Sequence, residues 1–329
     1  MQEDKQEHFI KNIKIKNFKC FEDFQAEGFG RVNLISGKNN VGKTAFMEAC
    51  FLGKSKSIFE LYHGLLTIKS QREGLNRLAY PKSSEEYLFD LTKQTFFNIE
   101  SNFGRVEISP INNNFKIYTI NSNCEEKTFS DLSNQLQSYF GNNSQYATQS
   151  SFISAYFVLN ETLNVLIDQL KIENKYELLT TYISKLFDIE KIDIIQGKPY
   201  IRKNGLFRPL SDYGIGMKSF INMILPLLFA KENNIIFIDE LENGIHYTNL
   251  DKLWEIILTI SKEQNVQVFA TTHSKECIES YARVAKKLED EEIRMIVLAR
   301  NLKNELKALV YDDKMFYSEL EQNHEVRGW

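Results

Sequence analysis

The segment that most constrains this chain is GKNNVGKT at Gly37–Thr44, which fits the pattern G-x-x-x-x-G-K-[ST]. The apolar residues Val32, Leu34 and Ile35 precede it, and the helix-favouring run Ala45–Leu52 follows it. A strand, a glycine-containing loop and a helix N-terminus in this order place backbone N–H groups around an anion. The segment therefore predicts a phosphate-binding loop in an α/β fold, in preference to a chance match within a turn.

The residues of this loop have separate predicted roles. The Lys43 ammonium is expected to reach the β- and γ-phosphates of a nucleotide, and the Thr44 hydroxyl is expected to hold Mg²⁺. The backbone that surrounds the phosphates is expected to be that of Gly37, Lys38, Asn39, Asn40, Val41, Gly42, Lys43 and Thr44.

Composition restricts the class of protein and of partner. The 329 residues are 43% hydrophobic and 26% charged, which is typical of a globular protein with one large core or one core with an inserted subdomain. A net charge of −4 gives no reason to expect a globally basic nucleic-acid binder. A local basic group is formed by Lys11, Lys14, Lys16 and Lys19. Its alternation with apolar residues favours the solvated face of an edge strand over a DNA-binding patch.

Cysteine usage and hydropathy predict a cytoplasmic location. The four cysteines are scattered and form no C-x-x-C pair: Cys20, Cys50, Cys124 and Cys277. They are expected to be reduced thiols. The N-terminal sequence MQEDKQEHF lacks the apolar segment of a signal peptide, and the apolar stretch Phe220–Ala230 is too short to span a bilayer.

Hydrophobic periodicity predicts alternating strands and helices around the phosphate loop. A strand is expected over 9–19, followed by a second strand or a turn over 21–29. Further strands are expected near 32–36, 193–195, 199–201, 206–207, 235–238 and 266–270, with a hairpin of 294–299 and 306–311. Helices are expected near 88–97, 163–170, 178–187, 216–230 and 250–260, from Ser274 onward, and at the end to about His324. A second hairpin of 105–108 and 115–120 and a mobile loop over 121–151 complete the prediction.

A second group of polar residues follows two of the predicted strands. IIFIDE at Ile235–Glu240 ends a buried strand with two carboxylates, at the carboxyl edge of the sheet where ligands bind in this fold class. Asp239 is expected to lie near Mg²⁺, usually acting through a water molecule, and Glu240 to orient and activate the attacking water. QVFATTHS ends the next strand with His273, which is expected to sense the γ-phosphate or assist the water.

These motifs together resemble those of ATP-binding-cassette-type ATPases, and more narrowly of the RecF/SMC/OLD (overcoming lysogenization defect) group. IKIKNFKCFEDF followed by VNLISGKNNVGKT is similar to the N-terminal strands and phosphate loop of that group, DELENGIH to its acidic strand end, and FATTHS to its switch segment. The resemblance covers roughly residues 9–53 and 205–280, and the C-terminal ending is also similar. It implies ATP and Mg²⁺ as ligands.

The resemblance also implies a signature segment at a helix N-terminus that contacts the γ-phosphate held by a second subunit. LSDYGIGMKS at Leu210–Ser219 lies at the corresponding place, and Ser211, Gly214 and Gly216 are the residues expected to bind. Asp212 and Tyr213 stand where transporter cassettes carry glycine, so an ordinary turn that caps the next helix is also compatible with the sequence. A glutamine loop is not placed, with Gln71 and Gln94 as candidates.

The expected protein is therefore a bacterial AAA-family ATPase of this type, without a TOPRIM domain, like the stand-alone ATPases of phage-defence and abortive-infection operons. Residues 1–95 and 193–329 are expected to form the ATPase core, a mainly parallel sheet between helices. Residues 96–192 are expected to form an antiparallel patch and a helical insert that acts as a lid or binds a partner.

ATP would close a homodimer, or a higher oligomer, with composite sites. The output would pass to DNA or to an effector such as a TOPRIM or HNH nuclease. The alternative is a RecF-like ATPase of DNA repair that binds duplex DNA. A small-molecule kinase gives no role to Glu240 and His273, and a transporter cassette is disfavoured by the altered signature segment.

Overall fold

The described residues form two six-stranded sheets and one three-stranded sheet. The structure is a computed structural model, and it describes residues 8–73, 96–109, 114–119, 124–128, 152–153, 160–230 and 234–322. The strands are β1 (Asn12–Phe18), β2 (Phe21–Glu27), β3 (Val32–Gly37), β4 (Phe97–Ser101), β5 (Gly104–Ser109), β6 (Asn114–Thr119), β7 (Cys124–Thr128), β8 (Phe152–Ile153), β9 (Lys191–Ile195), β10 (Lys198–Lys203), β11 (Leu206–Pro209), β12 (Ile235–Ile238), β13 (Gln267–Thr271), β14 (Ile293–Arg300) and β15 (Leu306–Tyr311). The helices are α1 (Lys43–Gly53), α2 (Ile58–Glu73), α3 (Asn160–Ile172), α4 (Tyr176–Phe187), α5 (Ile215–Phe229), α6 (Leu250–Glu263), α7 (Lys275–Lys287) and α8 (Asp313–Glu321).

The central sheet carries the site at the carboxyl ends of its parallel strands. Its strand order is β15-β14-β3-β13-β12-β8, and all neighbouring pairs are parallel except β14 with β15. The strands β3, β12 and β13 are buried on both faces, as expected of parallel strands covered on both sides. Their carboxyl ends meet at one edge, so the segments that follow them come together there.

Each face of the central sheet packs on its own core. Ile236 and Ile238 point into a cluster built with helices α3 to α8, while Phe237 between them points into a cluster built with α1 and the antiparallel sheet. The period of two along β12 thus assigns alternate side chains to opposite layers. Helix α1 packs between the two six-stranded sheets. This packing fixes the position of the helix N-terminus and therefore of the phosphate loop that leads into it.

The second six-stranded sheet is antiparallel throughout, in the order β2-β1-β4-β5-β6-β7. Strand β1 pairs with β2 on one side and β4 on the other, so the prediction of an edge strand over the lysine segment is wrong. Lys14 lies 3.8 Å from Glu100 on the neighbouring strand, and Lys19 pairs with Glu48 of α1. Carboxylates therefore neutralise part of the positive charge of this basic group, which does not favour a DNA-binding patch.

Most predicted elements are confirmed, with two differences in the middle of the chain. The hairpin pairs Ile108 with Phe115, as predicted. Phe97 begins β4 instead of ending a helix, and residues 124–128 form β7 within the predicted loop, because both segments pair into the antiparallel sheet. The other residues of the predicted helix over 88–97, apart from Phe96, and of the loop over 121–151 lie outside the described residues, as does the end of the chain from 323.

The division into core and insert stays a prediction. Strands β4 to β7, placed in the insert from sequence, continue the sheet that β1 and β2 begin. Strand β8 joins the central sheet beside β12. Among the described helices, none is both long enough and apolar enough to cross a bilayer.

Candidate nucleotide site

The phosphate loop connects β3 to α1 and is shaped by its backbone. Gly42, the residue before α1, has φ 112°, a conformation that residues with a Cβ atom rarely adopt. A Cβ atom at this position would also lie 2.5 Å from Cys20 Sγ. A bare backbone is thus required where N–H groups are expected to face an anion, and the local geometry fits the predicted phosphate site.

Lys43 begins α1, and its side chain turns back into the loop. Its Nζ atom donates hydrogen bonds to the carbonyl oxygens of Gly37, at 2.8 Å, and Lys38, at 3.0 Å. Burial lowers the pKa of Lys43 to about 8, and the negative charges of Asp239, Glu242 and Glu240 oppose this effect. The loop therefore holds a desolvated ammonium whose charge an incoming polyphosphate would stabilise.

Thr44 and Asp239 bring the phosphate loop and the end of β12 together. The Thr44 hydroxyl lies 3.2 and 3.1 Å from the two carboxylate oxygens of Asp239. Burial raises the pKa of Asp239, while hydrogen bonds from Thr271 and Thr44 counteract it. A hydroxyl and a carboxylate provide the hard oxygen atoms that Mg²⁺ prefers, so this pair fits the predicted metal site.

Thr271 is a site residue that sequence reasoning did not identify. It ends β13, and its hydroxyl donates to Asp239 Oδ1 at 2.6 Å and accepts from the Glu240 backbone N–H at 2.8 Å. One hydroxyl thereby orients both carboxylate residues at the end of the neighbouring strand. The available signal was local, because Thr271 begins the polar segment that follows the apolar run of β13.

Glu240 and His273 face each other beside this cluster. Glu240 has φ 50°, an uncommon conformation for a residue other than glycine that turns the chain directly after Asp239. The His273 Nε2 atom lies 3.9 Å from Glu240 Oε1, and both side chains are partly exposed. A carboxylate and an imidazole at the open side of the site can accept and pass on a proton.

The predicted signature segment lies at the N-terminus of α5. Residues Leu210–Asp212 form a 3-10 turn, Gly214 occupies the position before the helix, and Ser211, Gly214 and Ile215 are exposed. A Cβ atom on Gly216 would collide with the carbonyl oxygen of Gly244, so the two backbones are in direct contact. The segment thus presents a hydroxyl and helix N–H groups at the surface, while the roles of Ser211, Gly214 and Gly216 toward a second subunit stay predictions.

The structure thus gathers five predicted residues, Lys43, Thr44, Asp239, Glu240 and His273, at the end of the central sheet. The backbone of Lys38, Asn39, Asn40 and Val41 forms the loop between β3 and α1. Of the two glutamine candidates, Gln71 lies in α2 and Gln94 lies outside the described residues.

Part of the chain matches a known protein family. Residues 200–279 match the family described as "AAA domain, putative AbiEii toxin, Type IV TA system". This match includes the signature segment, Asp239, Glu240 and His273.

Two proteins are similar in sequence. The "ATP/GTP phosphatase" of Helicobacter pylori is 24% identical over 379 aligned residues, covering 95% of this chain and 99% of that protein. An uncharacterized protein of Methanocaldococcus jannaschii is 40% identical over 58 residues, covering 17% of this chain and 26% of that protein.

Solved structures of SMC heads share the fold. An SMC head bound to the C-winged helix domain of ScpA has a TM-score of 0.53 at 13% identity, covering 92% of this chain and 98% of that chain. An SMC head with an extended coiled coil, bound to the C-terminal domain of ScpA derived from Pyrococcus furiosus, has a TM-score of 0.52 at 11% identity, covering 96% and 99%. Residues 200–279 are thus similar to an AAA-domain family, and the chain as a whole has a fold like that of SMC heads.

Proposed function

We propose that this protein binds Mg²⁺ and ATP and hydrolyses the nucleotide. The observation that carries the proposal is the contact between Thr44 and Asp239, which joins the phosphate loop to the acidic strand end. Glu240 and His273 stand next to this contact. The similarity to the Helicobacter pylori ATP/GTP phosphatase over almost its whole length supports the same activity.

In this proposal each residue of the site has one task. Lys43 holds the phosphates, and Thr44 and Asp239 hold the metal ion, which when bound would neutralise charge on the phosphate oxygens. Glu240 accepts a proton from the attacking water, and His273 keeps that carboxylate and the water in place. Tight positioning and electrostatic stabilisation supply most of the rate in phosphoryl transfer.

We further propose that two copies close around two nucleotides. Ser211, Gly214 and Gly216 of one copy would complete the site of the other, because this segment exposes a hydroxyl and helix N–H groups. Closure would regulate an effector protein, which we propose to be a TOPRIM or HNH nuclease in antiphage defence. The description of the AAA family that residues 200–279 match names a toxin of a toxin–antitoxin system, and such a role is compatible with a defence function.

Replacement of Glu240 tests the catalytic part of the proposal. Glu240→Gln keeps the shape of the side chain and removes the base, so phosphate release should fall by about a hundredfold or more while ATP still binds. Glu279→Gln, an exposed change on α7 next to Lys275, is the matched control and should leave the rate unchanged. Hydrolysis by Glu240→Gln at the wild-type rate would show that Glu240 does not activate the water.

Light scattering tests the dimer. The Glu240→Gln protein with ATP should have a higher molecular mass than the same protein without nucleotide, since slow hydrolysis would trap the closed state. An unchanged mass would contradict composite sites.

A DNA-binding measurement tests the RecF-like alternative. That alternative would be supported if the protein bound duplex DNA with an affinity that falls steeply as salt is added, and had no effect on a nuclease encoded nearby.

A further inference from the structure

A carboxylate that the sequence motifs did not single out lies between the two halves of the site. Glu242 follows Asp239 by three residues in the turn after β12, and its side chain is half-buried. Its Oε1 atom accepts hydrogen bonds from the backbone N–H groups of His273, at 2.7 Å, and Ser274, at 3.2 Å. These N–H groups precede α7, where no helical carbonyl is available to them. One carboxylate oxygen therefore holds the backbone that carries the imidazole.

The other oxygen of Glu242 faces inward. The Oε2 atom is buried and has no hydrogen-bond partner among the residues that the structure describes. A carboxylate oxygen removed from water without a partner costs free energy, so this orientation is maintained by the contacts of Oε1 and by nearby positive charge. Lys43 supplies such a charge. The two side chains attract each other, and the negative charge of Glu242 raises the pKa of Lys43, opposite to the effect of burial.

The backbone held by Glu242 determines where the imidazole lies. His273 Nε2 is 3.9 Å from Glu240 Oε1, just beyond hydrogen-bonding distance, so a small backbone shift at His273 decides whether the two side chains interact. We infer that Glu242 is a positioning residue for ATP hydrolysis, whose Oε1 atom keeps the His273 imidazole beside Glu240. This inference rests on the proposed hydrolysis, and it assigns Glu242 no contact with the nucleotide.

Two substitutions separate the acceptor role of Glu242 from its charge. Glu242→Ala removes the acceptor and should lower kcat by between about tenfold and a hundredfold, with KM for ATP changed less than about twofold. Glu242→Gln keeps an acceptor oxygen and should restore kcat to within about threefold of wild type. Glu276→Ala is the matched control, because Glu276 is an exposed carboxylate that accepts from the Ser274 hydroxyl at 2.7 Å, at the same end of α7. It should leave kcat unchanged.

A double-mutant cycle identifies the residue through which Glu242 acts. If Glu242 acts through His273, Glu242→Ala should reduce kcat little further in a His273→Ala background, because the two changes remove one function. The inference would be overturned if the loss of kcat in the double variant equalled the product of the losses in the two single variants. It would also be overturned if Glu242→Ala had the wild-type kcat. Failure of Glu242→Gln to restore kcat would also overturn it, since charge would then be the required property.

Amide hydrogen exchange supplies a readout that does not depend on turnover. In nucleotide-free protein, the amide of His273 should exchange about tenfold faster in Glu242→Ala than in wild type, and at the wild-type rate in Glu242→Gln. The amide of Ser274 should change less, because it also donates to Thr272 Oγ1 at 3.1 Å. Unchanged exchange in Glu242→Ala would overturn the inference. Wild-type protein that binds ATP without releasing phosphate would overturn the proposed function before any variant is compared, so the two failures are distinguishable.

Discussion

Lys43 shows how burial adjusts a single residue for its task. The residue is 5% exposed, its ammonium donates to two loop carbonyl groups, and burial lowers its pKa to about 8. The nearby carboxylates reduce this shift without cancelling it. The loop thus holds a cation that is poorly stabilised by its surroundings, which favours the binding of a polyphosphate.

The first prediction concerns the pH dependence of ATP affinity. Below pH 8 Lys43 is mostly charged in the nucleotide-free protein, and above it the residue loses the proton that attracts phosphate. Affinity should therefore fall as pH rises from about 7 to 9, by up to about tenfold per pH unit at the upper end. Titration with a fluorescent ATP analogue at several pH values measures this.

Lys43→Arg provides the control for this titration. A guanidinium stays charged throughout the range, so the variant should bind with little pH dependence between about 7 and 9, whatever its affinity. An equal pH dependence in both proteins would assign the titration to another group.

The contact between α5 and the turn after β12 connects two elements through bare backbone. Gly216, in the first turn of α5, lies against the carbonyl group of Gly244. A methyl group added to Gly214, just before the helix, would instead have none of the described residues' atoms within 4 Å beyond its chain neighbours. Close approach of two backbones requires glycine at the contact. The predicted signature segment is thus fixed to the same turn that carries Asp239, Glu240 and Glu242.

The second prediction follows from this contact. Alanine ordinarily stabilises a helix relative to glycine, but Gly216→Ala should destabilise the protein by about 1–3 kcal/mol because the added methyl group forces the two elements apart. Gly214→Ala should change stability by less than about 1 kcal/mol. Thermal unfolding of both variants measures the difference, and equal melting temperatures would contradict the contact.

Arg31 connects several layers of the whole molecule from within. It precedes β3, pairs with buried Asp290 after α7, and donates at 2.7 Å to Ser261 of α6. A second ion pair, at 3.0 Å, joins Arg31 to Glu292 before β14. Because the guanidinium spans segments distant in the chain, it ties the central sheet to the helices that cover it.

The third prediction compares a buried and a surface ion pair. Arg31→Met leaves Asp290 buried without its partner and should reduce the free energy of unfolding by about 3–5 kcal/mol. Arg283→Met breaks the exposed pair with Asp251, 2.5 Å apart, and should cost less than about 1 kcal/mol. Denaturant unfolding of both variants tests this, and a similar loss for both would show that burial of Arg31 does not decide its contribution.

How far the site was predictable depends on whether its chemistry is contiguous in the chain. Gly37–Thr44 is a contiguous motif with its own strand and helix signals, and Asp239 and Glu240 directly follow a buried strand, so their neighbourhood followed from sequence. Thr271 and Glu242 carry no comparable motif. Their partners are set by hydrogen bonds across strand ends, at separations of about thirty residues.

The arrangement of the sheets depended on packing that no local pattern encodes. Strand β8 consists of two residues, which is too short to show the apolar–polar alternation that predicts a strand. Its place beside β12 follows instead from the buried faces around it. Likewise β1 and β4 pair across more than eighty residues, which turned a predicted edge strand into an interior one. Local chemistry determined that this chain has a phosphate loop followed by acidic and histidine-bearing strand ends. Burial of apolar faces against one another, which acts between distant segments, determined how Thr271 and Glu242 join them.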